Sequence, residues 1–193
     1  MPIRFIVTTR YHALVEELAS ARIGETFNQY AESEVLRERL GDYLEARWAA
    51  PILLVGEAAG FRGARVSGIP FTSERQLMGT GPAEATATIV HRVLAELGLE
   101  EDVLLWNVVP THPHRPEDPY SNRRPTRVEV EDSRPFLDTL ARGRRALPVG
   151  RLAQSVLGGP YLRHPSHGGA AEFRAAVVAA TIRRRRTPRP PIF

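Results

Sequence analysis

Apolar residues recur at helical spacing over residues 11–22 and 30–48, where Leu36, Leu40, Leu44 and Trp48 fall on one face. The chain therefore opens with helices, separated by a short break that contains Gly24. The period then changes. Pro51 introduces Ile52-Leu53-Leu54-Val55, a continuous apolar run of strand length that ends on Gly56, and a second run, Val103 to Val109, stops at Pro110. Runs without alternation predict strands covered on both faces, as in a parallel sheet. Between them, residues 82–98 carry a helical period and end at Gly98, which suits a left-handed C-terminal cap. A later helix over 128–142, a short strand at Ala146 to Val149, a helix from Arg151 to Leu157 and a last strand at Tyr161 to His164 continue the alternation. This order predicts an α/β fold of three layers, α/β/α, around a central four-stranded, mainly parallel sheet.

Residues 1–182 are expected to form a single domain, with residues 1–50 as its helical N-terminal part. The segment 183–193, with four consecutive arginines followed by Pro188, Pro190 and Pro191, reads as a flexible, solvated tail. In parallel sheets ligands bind outside the carboxyl ends of the strands. Three polar segments converge there: 56–74, 107–126 and 164–169. The stretch 110–126 holds five prolines and little periodicity, and irregular loops of that length more often serve function than mere connection.

Composition narrows the chemistry. The 193 residues include no cysteine, which excludes a disulfide framework, a thiolate nucleophile and a cysteine-ligated zinc site or iron–sulfur cluster. All 26 basic residues are arginine, so a lysine Schiff base is excluded as well. Arginine forks onto phosphate, and the net charge of +4 is compatible with a nucleic-acid partner without requiring one. No secretory leader pattern or run of about 18 apolar residues is present, which predicts a cytoplasmic protein without a membrane partner.

Candidate chemistry sits at the three strand ends. Gly56-Glu57-Ala58-Ala59-Gly60-Phe61-Arg62-Gly63 follows the first strand, and its glycines let backbone N–H groups approach a ligand, although an ordinary strand-to-helix turn has the same pattern. Asn107 interrupts an apolar run with a side chain that both donates and accepts, which suits the imide edge of a pyrimidine or, alternatively, ties down a neighbouring loop. His164, in His164-Pro165-Ser166, either donates to an oxygen that gains charge during a reaction or caps a turn. His112 and His114 have a spacing open to a metal, but no acidic or thiol partner stands at ligand spacing, so no metal is expected.

Taken together, Gly-Glu-Ala-Ala-Gly at 56–60, Gly-Ile-Pro-Phe at 68–71, Asn107, Ser-Asn-Arg-Arg-Pro-Thr at 121–126 and His-Pro-Ser at 164–166 resemble the uracil-DNA glycosylase superfamily, in order, over roughly residues 50–180. The nearest pattern is that of the family 4 enzymes and a cluster-free branch of family 4-like proteins. The resemblance implies a monofunctional, cofactor-free and monomeric DNA glycosylase that initiates base excision repair on DNA containing uracil or another deaminated base. It assigns Phe71 as the aromatic on which the extruded base stacks, Asn107 as the reader of its Watson–Crick edge and His164 as donor to its O2. Gly56, Ala58 and Gly60 would surround the sugar and base, and Ser166, Arg62, Arg123 and His167 would contact DNA. Three departures accompany this. Ser133 stands where a family 4 member carries a cluster cysteine. Ala58 aligns with the water-activating Asp of family 1, so carboxylate help falls to Glu57. His167-Gly168-Gly169 replaces the apolar wedge that fills the emptied stack. These departures keep a second reading open, a catalytically weak or inactive nucleic-acid-binding member of the superfamily.

Overall fold

The computed structural model describes residues 10–166 and 168–185. Three helices come first: α1 (Arg10–Ser20), α2 (Gln29–Glu32) and α3 (Glu34–Arg47). The sequence pattern predicts one helix from residue 30 to 48, but the chain breaks at Ser33. That residue adopts an extended backbone and its hydroxyl accepts from the Leu36 amide, a local bond that competes with helix continuation. Asn28 caps the preceding turn in the same way, accepting from the Tyr30 and Ala31 amides.

The sheet is built from β1 (Ile52–Ala58), β2 (Val103–Val109) and β3 (Arg145–Pro148). All pairing is parallel, in the order β2-β1-β3. The first two strands are connected through α4 (Ala64–Ser67), α5 (Glu74–Met78) and α6 (Ala85–Leu97), and α6 ends on Gly98 in the left-handed conformation. The irregular 110–126 segment and then α7 (Arg127–Ala141) lead to β3, followed by α8 (Arg151–Leu157) and α9 (Ala170–Arg185).

Alternation along the buried strands sorts the core into two layers. Leu53, Val55, Leu104, Trp106 and Val108 face one side, against α1, α3, α7 and α8. Ile52, Leu54, Val103, Leu105 and Leu147 face the other, where α6 supplies Val90, Val93 and Leu94, and α9 supplies Phe173 and Val177. Helices thus cover both faces of the parallel sheet, which explains why its strands read as unbroken apolar runs.

Two expectations need correction. The sheet has three strands and not four: at 161–164 only Leu162 pairs, through a single parallel bridge to Val149. The Leu162 amide donates to the Pro148 carbonyl and its carbonyl accepts from Gly150, while Pro160 and Pro165, which lack amide donors, flank the segment and leave no room for a longer ladder. Second, α9 continues through Arg185, so the first arginines assigned to the tail are helical; residues 186–193 lie outside the described residues. The hydrophobic pattern predicts no element at α9, yet Phe173, Val177 and Ala180 bury one stripe of it at helical spacing.

Candidate active site

Gly56 and Asn107 are direct neighbours across the β1–β2 ladder, at the carboxyl end of the sheet. A Cβ on Gly56 would lie 2.5 Å from Phe71 Cζ and 2.7 Å from Asn107 Oδ1. The missing side chain is therefore the space into which the ring and the amide both close, and glycine serves here for close approach and not for an unusual dihedral.

Phe71 is buried and, among the described residues, is the non-glycine residue with positive φ, at 53°. A bulky residue there is strained and persists only where its surroundings over-determine it. They do so. The Ser67 hydroxyl donates to the Thr72 carbonyl at 2.7 Å and accepts from the Ile69 amide, and the Tyr30 hydroxyl donates to the Gly68 carbonyl. Thr72 Oγ1 lies 3.0 Å from His91 Nε2, and burial pushes the His91 pKa down, favouring its neutral ring. Arg39 forks onto Glu74 at the far end of the turn.

Asn107 is buried in an otherwise apolar strand, and no hydrogen bond engages its side chain among the described residues. Its amide is not sealed off inside the protein but faces the cavity, where a ligand with a matching edge can meet both its donor and its acceptor.

His164 enters from the segment between α8 and α9. Its Nδ1 lies 2.7 Å from Ser166 Oγ and accepts from the Ser166 amide at 3.3 Å. Because a backbone N–H can only donate, Nδ1 is the unprotonated nitrogen in this arrangement, and a neutral ring must carry its proton on Nε2.

These side chains line one small cavity of about 60 Å³, together with Glu57, Ala58, Gly60, Ala64, Glu84 and Thr86. Burial raises the pKa of both carboxyl groups; the charge of Arg124 partly opposes the shift at Glu57, while nothing opposes it at Glu84. Beside it lies an outer cleft of about 420 Å³ lined by Phe61, Arg62, Glu84, Tyr120 and Asn122, so that Glu84 borders both spaces. Another cavity, of about 430 Å³, lies at the opposite ends of the strands between Trp48, Pro51, Arg142 and Arg144, remote from every motif.

A match to the family model for the uracil DNA glycosylase superfamily extends over residues 44–184. The chain belongs to the uracil DNA glycosylase superfamily. Members of this superfamily act on DNA as glycosylases, and the present chain is one of them by sequence and architecture. Its fold is similar to the crystal structure of wild-type SMUG2 from Pedobacter heparinus, with a TM-score of 0.70 at 12% identity, over 92% of this chain and 99% of that one. No curated protein matches the chain.

Of the positions that the superfamily motifs single out, Glu57, Ala58, Gly60, Phe71, Asn107 and His164 meet in the cavity, with Gly56 directly beneath. Ser166 stands behind the His164 ring and not in the cavity lining. Arg62 lines the outer cleft. Arg123 is placed elsewhere: its guanidinium forks onto Glu129, a carboxylate with 1% side-chain exposure, and its Nε donates to the His114 carbonyl. His167 lies outside the described residues. His112 is buried with Nδ1 2.9 Å from the Ala59 carbonyl, so it ties the proline-rich loop to the glycine-rich one. Glu84, Thr86 and Ala64 also line the cavity, and none of them belongs to a motif that the sequence singles out. For Glu84 a faint signal existed, a glutamate immediately before a helix, where Ser, Thr, Asp or Asn would be the usual cap.

Proposed function

We propose that this protein is a monofunctional DNA glycosylase that hydrolyses the N-glycosidic bond of uracil, or of a related deaminated base, and so starts base excision repair. The observation that carries the reading is the meeting of an aromatic ring, an unpartnered buried amide and an oriented imidazole, from three distant segments, in one cavity of a superfamily member.

Each group has a task set by its chemistry. The nucleotide must leave the base stack, at a cost of a few kcal/mol. Stacking on the Phe71 ring, pre-set by its strained turn, returns about 1–3 kcal/mol. The Asn107 amide accepts from the N3–H of uracil and donates to O4; cytosine would set its own amino donor against the amide NH₂. As the glycosidic bond breaks, its electron pair moves onto the base, and negative charge gathers on O2. A His164 Nε2–H aimed at that oxygen acts as a preorganised donor, worth about 3–4 kcal/mol of barrier in comparable oxyanion sites. Water supplies the hydroxyl that ends on C1′. The absence of lysine fits simple hydrolysis without a lyase step through a lysine Schiff base.

The test is release of free base from oligonucleotides bearing uracil, hypoxanthine or xanthine, read by alkaline cleavage at the abasic site. Uracil release that is lost in His164→Ala, and weakened with some gain of cytosine in Asn107→Asp, is the expected result. Salt-sensitive DNA binding with no base released from any substrate would overturn the enzymatic reading in favour of a binding protein.

A further inference from the structure

Glu84 is poorly explained by local structure. It is the N-cap residue of α6, yet its side chain makes no capping hydrogen bond, and glutamate is not among the residues favoured there. The carboxyl group turns instead toward the glycine-rich loop: a Cβ on Gly63 would come within 2.0 Å of Glu84 Oε2, and one on Gly60 within 3.5 Å of Oε1. Those glycines leave a berth that the carboxylate occupies. Among the described residues, no hydrogen bond or ion pair engages that side chain.

Its position is the informative part. Glu84 lines both the inner cavity and the outer cleft, so it stands at their junction. With a base stacked on Phe71 and read by Asn107, the bond from that base to its sugar must pass outward through this junction, because the rest of the nucleotide is too large for the inner cavity. We propose that Glu84 is a catalytic carboxylate that faces the anomeric carbon, a role that rests on the glycosylase reading and supplies what Ala58 cannot. The C1′–N bond breaks with its electron pair going to the base. A water oxygen then bonds to C1′, and its proton passes to the Glu84 carboxylate, whose charge also stabilises the cationic sugar before the water adds. The other charged or titratable groups lining these spaces are Glu57 and His164 in the inner cavity and Arg62 and Tyr120 in the outer cleft. Glu57 is the competing carboxylate, but its charge is shared with Arg124, and it does not line the outer cleft.

The experiment compares Glu84→Gln with Glu57→Gln by two readouts on the full chain. In single-turnover excision, Glu84→Gln should slow base release by about 10²-fold or more with little change in KM, the range expected for loss of a general base. In binding, a duplex carrying a cationic pyrrolidine abasic analogue is compared with the neutral tetrahydrofuran analogue. Wild-type protein should prefer the cation, and Glu84→Gln should lose that preference at least tenfold while holding the neutral duplex unchanged. Gly63→Ala, which pushes the carboxylate from its berth, should reproduce both effects with a normal unfolding transition. A cation preference retained in Glu84→Gln, or one lost only in Glu57→Gln, overturns the assignment. The binding arm decides this even if wild-type protein releases no base, so failure here is distinguishable from failure of the glycosylase reading.

Discussion

Ser166 Oγ lies 2.7 Å from Nδ1 of His164, within the same short His-Pro-Ser turn. With the Ser166 amide donating to that nitrogen, the hydroxyl helps hold the ring in one orientation and one tautomer. On the proposed glycosylase reading, Ser166 acts through His164 as a positioning residue. Ser166→Ala should lower the rate of base release by about tenfold, with KM for DNA nearly unchanged, because the backbone donor remains; the scale is that of losing a neighbour that orients a reacting group. Single-turnover kinetics at saturating enzyme would show it. Ser166→Thr should restore most of the loss, whereas a contact to DNA phosphate alone would appear in KM and its salt dependence.

The contact between Gly56 and its two neighbours makes a second prediction. In Gly56→Ala the new methyl must displace the Phe71 ring or the Asn107 amide, which it would otherwise approach at 2.5 and 2.7 Å. Overpacking of this kind costs about 1–3 kcal/mol. Binding of free uracil, followed by NMR of the Asn107 side-chain amide, should vanish while the fold persists. A variant that still bound uracil with wild-type affinity would show that the ring and the amide do not form one slot.

Arg123 and Arg62 should separate in their effects. Glu129 is buried and receives both the Arg123 fork and the Thr126 amide, the latter closing a capping box with the Thr126 hydroxyl. Removing one partner of a buried ion pair costs about 3–5 kcal/mol, so Arg123→Ala should lower the unfolding midpoint sharply. Arg62→Ala should leave it unchanged and reduce the salt slope of DNA binding by about one. Acid titration supplies a further check. Burial alone would raise the Glu129 pKa, but the Arg123 hydrogen bond and charge, with the Thr126 amide, bring it below its ordinary value. Its contribution to stability is thus present above the unfolded pKa and lost as pH falls through the folded one. That portion of the acid destabilisation should be absent from Glu129→Gln.

Hydrophobic patterning by itself determined the positions of β1, β2 and β3, the parallel order of β1 and β2, and the extents of α1, α6, α7 and α8 to within about three residues, while α4, α5 and α9 left no mark in it. It also marked the chemistry-bearing segments, because Asn107 interrupts such a run and the glycines of 56–63 follow one. Pattern failed where backbone donors decided the outcome: prolines at 160 and 165 reduced a predicted fourth strand to one bridge, and the Ser33 hydroxyl split a helix. Only the tertiary structure decided partnership, because distances between remote segments are not written in local periodicity. It drew Arg123 onto Glu129, set Ser166 against His164, closed Phe71 and Asn107 over Gly56, and placed Glu84, unremarkable in sequence, at the mouth of the cavity. The physical reason is that charge pairing and close packing depend on the fields and spaces created by residues far away in the chain.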